Sequence, residues 1–150
     1  MRSTYRVLAQ LIALGVVVQA MSVALGWFMV LKDVDGGAVF GKDTDFNFGQ
    51  ITHSIVGTMV IPLLAIVLLI VSFFAGIPGG VKWAAIVFGL VALQIALAFA
   101  AWGGLAAIGA LHGLNALLLL GAAGITGRHA ATAQPSAVAD TEAVAQPPAV

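Results

Sequence analysis

The segment 83–127 reads WAAIVFGLVALQIALAFAAWGGLAAIGALHGLNALLLLGAAGITG and contains no charged residue. A bilayer core is crossed by ~20 apolar residues of helix, each rising ~1.5 Å. The segment is therefore too long for one span. Trp102-Gly103-Gly104 interrupts it, because tandem glycines are poor helix formers and good turn formers. It divides into two spans, at about 82–101 and 104–126. Two earlier stretches are also uncharged, Val7–Leu31 and Phe46–Val81. Each accommodates one span, at about 6–31 and 46–76. The count is four.

Composition agrees. Of 150 residues, 61% are hydrophobic and only 8% are charged, against ~25% charged in ordinary soluble domains. This excludes a soluble globular enzyme, a disordered chain and a basic nucleic-acid binder. Zero cysteines exclude disulfides, thiolate zinc sites, iron–sulfur clusters and thiol nucleophiles. An open sheet leaves its edge amides unbonded in lipid, and these runs lack the strand alternation of a barrel. The expected fold is all-α: an integral membrane four-helix bundle over residues 1–128, running up-down-up-down.

Arg2, Arg6, Lys82 and Arg128 fall on one side of such a bundle. Lys32 and Lys42 fall on the other, offset by Asp33, Asp35, Asp43 and Asp45. The positive-inside rule places both termini in the cytoplasm. Ser22-Val23-Ala24 resembles a signal-peptidase site, but the apolar run continues through Leu31, longer than a removable signal core. The first helix is expected to be retained. Asp45 is the expected N-cap of the second helix, Pro62 is expected to kink it, and Ile77-Pro78-Gly79-Gly80 should end it and turn the chain. Gly121, Gly124 and Gly127 should loosen the end of the fourth helix. Residues 129–150, rich in Ala, Pro, Gln and Thr, read as a disordered tail with His129 solvated.

Two histidines lie inside spans, where ionisable groups are costly and usually face the bundle interior. His53 is eight residues past Asp45, and His112 is eight past Gly104. Both then lie ~12 Å below the same membrane face, on helices that can oppose each other diagonally. Haem iron takes axial ligands from opposite faces of a flat ring, and histidine nitrogens supply them. Gly57, Gly109 and Gly113 would let such a ring approach the backbone, or equally let helices pack closely. No Cys-x-x-Cys-His is present, so attachment would be non-covalent. The expectation is one haem b per chain, ligated through iron by His53 and His112. Gln94 and Asn115 lie near the same plane, either as packing groups or as partners that orient an imidazole. Gln19 reads as an interhelical hydrogen-bonding group nearer mid-membrane. Met59 lies off the His53 face.

Other chemistry has little support. No carboxylate lies inside a span, and no nucleophile stands beside a base. The four loop aspartates lack the further ligands of a defined cation site. Two alternatives to haem stay open: a cofactor-free accessory or assembly subunit whose histidines fix helix packing, and a small transporter using the histidines as a proton-sensitive pair.

Gln50-Ile-Thr-His53-Ser-Ile-Val-Gly57 and Leu111-His112-Gly-Leu-Asn115-Ala116-Leu-Leu resemble motifs of a family of small four-helix bacterial membrane proteins. The resemblance covers roughly residues 5–127. The layout is also similar to one half of haem A synthase, in which histidines on the second and fourth helices face one haem; His53 and His112 match those positions. The chain departs from it in having a single half and no intramembrane carboxylate. Bacterial four-helix b-type cytochromes that hold two haems are a looser match, since they use more histidines. The histidine pair and the resemblance together lead us to expect electron transfer or haem handling beside a membrane partner, such as a quinone, a redox protein, another subunit or a second copy, with no autonomous hydrolytic or transferase activity.

Overall fold

The computed structural model describes residues 1–132. Four helices are long and apolar enough to cross a membrane: α1 (Arg2–Asp35), α2 (Phe48–Ser72), α3 (Gly80–Trp102) and α4 (Ile108–Thr132). The principal packing pairs are α1–α2, α2–α3, α3–α4 and α1–α4. This ring sets α2 and α4 across a diagonal.

The helix ends differ from the sequence expectation for identifiable reasons. Asn47, not Asp45, caps α2. Its Oδ1 accepts from Gln50 N at 3.1 Å, and Gln50 Oε1 accepts from Asn47 N at 3.0 Å. Asn47 Nδ2 also donates to Gly26 O of α1 at 2.9 Å. An aspartate could not make that third bond, since an ionised carboxylate only accepts. At the other end α2 stops at Ser72, before the turn formed with Gly76 and Gly79, both at positive φ. Leu105–Ala107 form a turn, so α4 begins at Ile108 rather than 104. The glycines of α4 do not end it. The helix carries His129 and continues to Thr132, within the expected tail. The rest of that tail, 133–150, lies outside the described residues.

Pro62 acts through a π-helical stretch, Val56–Val60, in which Ile61 N bonds Val56 O. Proline cannot donate to the carbonyl four residues back and its ring crowds it. The wider turn absorbs one extra residue, which is about 100° of azimuth on a regular helix. His53 therefore comes close to the face of Ile61, Ala65 and Leu68, all buried. On an uninterrupted helix it would sit about 80° from Ile61.

The bundle is sealed in one half only. Tyr5, Ile12, Leu68, Val87 and Leu119 are fully or almost fully buried there, and Tyr5 Oη donates to Gly80 O at 2.8 Å. Arg2 bonds Ala75 O and Gly76 O, and His129 Nε2 lies 2.6 Å from Pro78 O. These contacts tie together the start of α1, the α2–α3 turn and the end of α4. In the other half, no described residue is buried between Ala92 and Trp102 of α3, between Ile108 and Leu114 of α4, or between Gln50 and Val60 of α2. Packing of α2 on α3 belongs to its Ile61–Ser72 part, and Phe48–Val60 has scarcely any backbone contact with α3. Two helix pairs splay here. The α1–α2 pair is locked by Gly26 and Gly49, where a Cβ on Gly49 would lie 2.7 Å from Gly26 Cα and Ser22 O.

Candidate functional site: a histidine pair in the splayed half

His53 and His112 meet across the diagonal. Their ring centres are 6.2 Å apart and their planes differ by 60°. Both side chains are half-buried. The level shared by the two residues in sequence is thus a level shared in space.

His53 Nδ1 lies 3.1 Å from Gln19 O on α1. A carbonyl oxygen only accepts, so Nδ1 carries the hydrogen and Nε2 keeps its lone pair. His112 repeats the arrangement on the other helix pair, with Nδ1 3.1 Å from Gln94 O on α3. Each imidazole therefore donates to a main-chain carbonyl of an adjacent helix, and each holds its lone pair at Nε2.

The His112 side is the more elaborated. Gln94 Nε2 donates to His112 O at 3.0 Å and to His112 Nε2 at 3.1 Å. Gln94 Oε1 accepts from Asn115 Nδ2 at 2.6 Å, and Asn115 Nδ2 also donates to Leu90 O at 2.9 Å. Asn115 is only 3% exposed. Its Oδ1 and the Nε2 of Gln19 are buried without a hydrogen-bond partner among the described residues.

The glycines behave differently from one another. The space at Gly57 is filled by Gln19, whose Oε1 would lie 3.1 Å from an added Cβ. Gly109 faces Ala101 of α3 at 3.9 Å, and Gly113 is exposed to open space. Gly57 and Gly109 thus admit neighbouring helices rather than lining an empty slot. Met59 is exposed. Gln19 is the site residue whose role the sequence did not disclose, because its contribution to His53 is a backbone oxygen that no side-chain pattern reports. His129, expected in solvent, is instead held at the α2–α3 turn. At the mouth of the splayed half, Phe46 and Trp102 meet edge to face at 5.7 Å.

No protein-family model matches the chain, and no curated protein or solved structure is significantly similar to it.

Proposed function

We propose that the chain runs up-down-up-down in a bacterial inner membrane, with both termini cytoplasmic, and holds one non-covalent b-type haem between His53 and His112. The carrying observation is the juxtaposition of the two imidazoles, 6.2 Å between centres, each with Nδ1 committed to a carbonyl of a neighbouring helix, although the Nε2 of His112 is at present held by Gln94 Nε2. A metal–imidazole bond is ~2 Å, and the ring centre lies about 1 Å behind the nitrogen. Two imidazoles that shared one metal would have centres separated by a distance of this order. The donor set fits haem better than a bare ion. Among the described residues no group of three or more His, Asp or Glu could hold a metal, whereas a porphyrin brings four nitrogens of its own. In this half the segments around the two histidines carry no fully buried residue between Gln50 and Val60 or between Ile108 and Leu114.

Bound haem would supply reversible one-electron chemistry. The protein's part is ligation by His53 and His112, with the Gln19 and Gln94 carbonyls fixing both rings and raising their basicity. The Gln94 Nε2 contact at His112 would yield to iron, while Asn115 keeps the amide in place. The end that joins the start of α1 to the α2–α3 turn carries Arg2, Arg6, Lys82 and Arg128, which makes it the cytoplasmic end. The histidines then lie toward the outer face. One haem there cannot bridge a core ~30 Å thick. Its function is therefore electron transfer or haem handling with a quinone, a periplasmic redox protein, another membrane subunit or a second copy of the chain.

The test is an absorption spectrum of the protein purified in mild detergent after expression with haem supplied, before and after dithionite. A sharp reduced α-band, lost in both His53→Ala and His112→Ala, is the expected result. No band in the unsubstituted protein rejects the proposal. A cofactor-free accessory or assembly role is the second reading, favoured by one observation: every polar atom of the Gln94 amide and both His112 nitrogens already have protein partners.

A further inference from the structure

The two histidines are held alike at Nδ1 and differently at Nε2. His53 donates to Gln19 O and His112 to Gln94 O, each at 3.1 Å, so a glutamine main chain orients both rings. The glutamine side chains then diverge. The Gln19 amide fills the space at Gly57, and its Nε2 is buried without a partner among the described residues. No described residue donates to His53 Nε2. The Gln94 amide instead lies on the ring, with its Nε2 3.1 Å from His112 Nε2 and 3.0 Å from His112 O.

The direction of that contact is fixed from outside the ring. Leu90 O only accepts, so Asn115 turns Nδ2 to it at 2.9 Å. The same Nδ2 donates to Gln94 Oε1 at 2.6 Å, which leaves the Nε2 end of the Gln94 amide toward His112. Its two hydrogens serve two acceptors, the backbone oxygen and the lone pair of the ring. We propose that Gln94 is a positioning residue that caps His112 Nε2 and makes the two imidazoles unequal ligands. The His53 lone pair is open to an incoming metal centre, whereas that of His112 is released only when the amide turns away. The cap stands on its own contacts; its consequence for haem rests on the reading of the pair as axial ligands. Release breaks one of the three hydrogen bonds in which the amide takes part. The ring keeps its orientation, because Gln94 orients it through the backbone. The side chain of Gln94 therefore opposes ligation while its main chain favours it. Substitution at this position separates the two, since it removes the amide and leaves the carbonyl.

The test uses the full chain in mild detergent, isotope-labelled at the histidine nitrogens. In protein purified without haem, the Nε2 resonance of His112 should lie upfield of that of His53, because accepting a hydrogen bond shields a lone-pair imidazole nitrogen. In Gln94→Leu it should move to the His53 position while Nδ1 stays protonated. Titration with ferric haem reads the consequence. Gln94→Leu should bind about fivefold more tightly, the order of one net hydrogen bond, and the gain should vanish when combined with His112→Ala. Coincident Nε2 resonances in the unsubstituted protein overturn the cap, and so does a His112 resonance that Gln94→Leu leaves unmoved. Equal or weaker haem binding by Gln94→Leu, with circular dichroism unchanged, overturns the consequence for ligation. If the unsubstituted protein takes up no haem, the haem reading fails, and the nitrogen resonances still decide the cap.

Discussion

At the residue scale, Asn115 joins α3 to α4. Its Nδ2 serves both Leu90 O and Gln94 Oε1, and Gln94 in turn grips His112. Interhelical hydrogen bonds in membranes are worth ~0.6–2 kcal/mol each. Asn115→Ala should therefore destabilise the bundle by about 1–2 kcal/mol, measured by reversible unfolding in mixed micelles. The loss is limited because the substitution also removes Oδ1, a buried acceptor without a partner. The sequence placed Gln94 and Asn115 near the histidine plane but left open whether they pack or orient a ring. The structure makes them do both, because Gln94 spans from Asn115 to both the ring and the backbone of His112. Gln19 was legible only as a polar group in the first span, since its part in the site is a carbonyl.

At the element scale, Gly26 on Gly49 is a close helix crossing, and it bears on how rigidly α1 and α2 present His53. Gly49→Ala gains up to ~1 kcal/mol of helix propensity but pushes a methyl into the backbone of α1. Overpacking of that kind costs ~1–3 kcal/mol. The net effect should be a lower unfolding temperature. Gly89→Ala is the contrasting case: nothing lies within 4 Å of an added Cβ there, so the same substitution should be neutral or stabilising. If both variants melt alike, the crossing does not limit stability. The sequence exposed these glycines but not which of them touch, because contact depends on the rotation of one helix against its neighbour. The π-helical stretch in α2 has the same character. Pro62 announces a disturbance, while its form, and the phase it imposes on His53, follow from packing.

At the scale of the whole molecule, charge decides orientation. The chain has no cysteine, so single substitutions report topology cleanly. Lys42→Cys, in the loop between α1 and α2, should react with a membrane-impermeant maleimide on intact cells whose outer membrane has been permeabilised. Lys82→Cys, at the start of α3, should react only after the inner membrane is opened. The reverse pattern would invert the proposed orientation and put the histidine pair near the cytoplasmic face.

Four spans, their approximate limits and the common depth of His53 and His112 were determined by the sequence alone. The reason is that lipid penalises charge and unbonded backbone so heavily that uncharged runs can hardly be anything but helices. Depth along a helix is simple counting at a fixed rise. Azimuth is different. Which way each histidine points, which carbonyl takes its hydrogen and where the bundle opens depend on helix rotation. Rotation is set by contacts between distant residues: Gly26 with Gly49, Gln19 with Gly57, Gln94 with His112 and Asn115. Only the tertiary structure decided those, because no local rule encodes the angle at which one helix meets another.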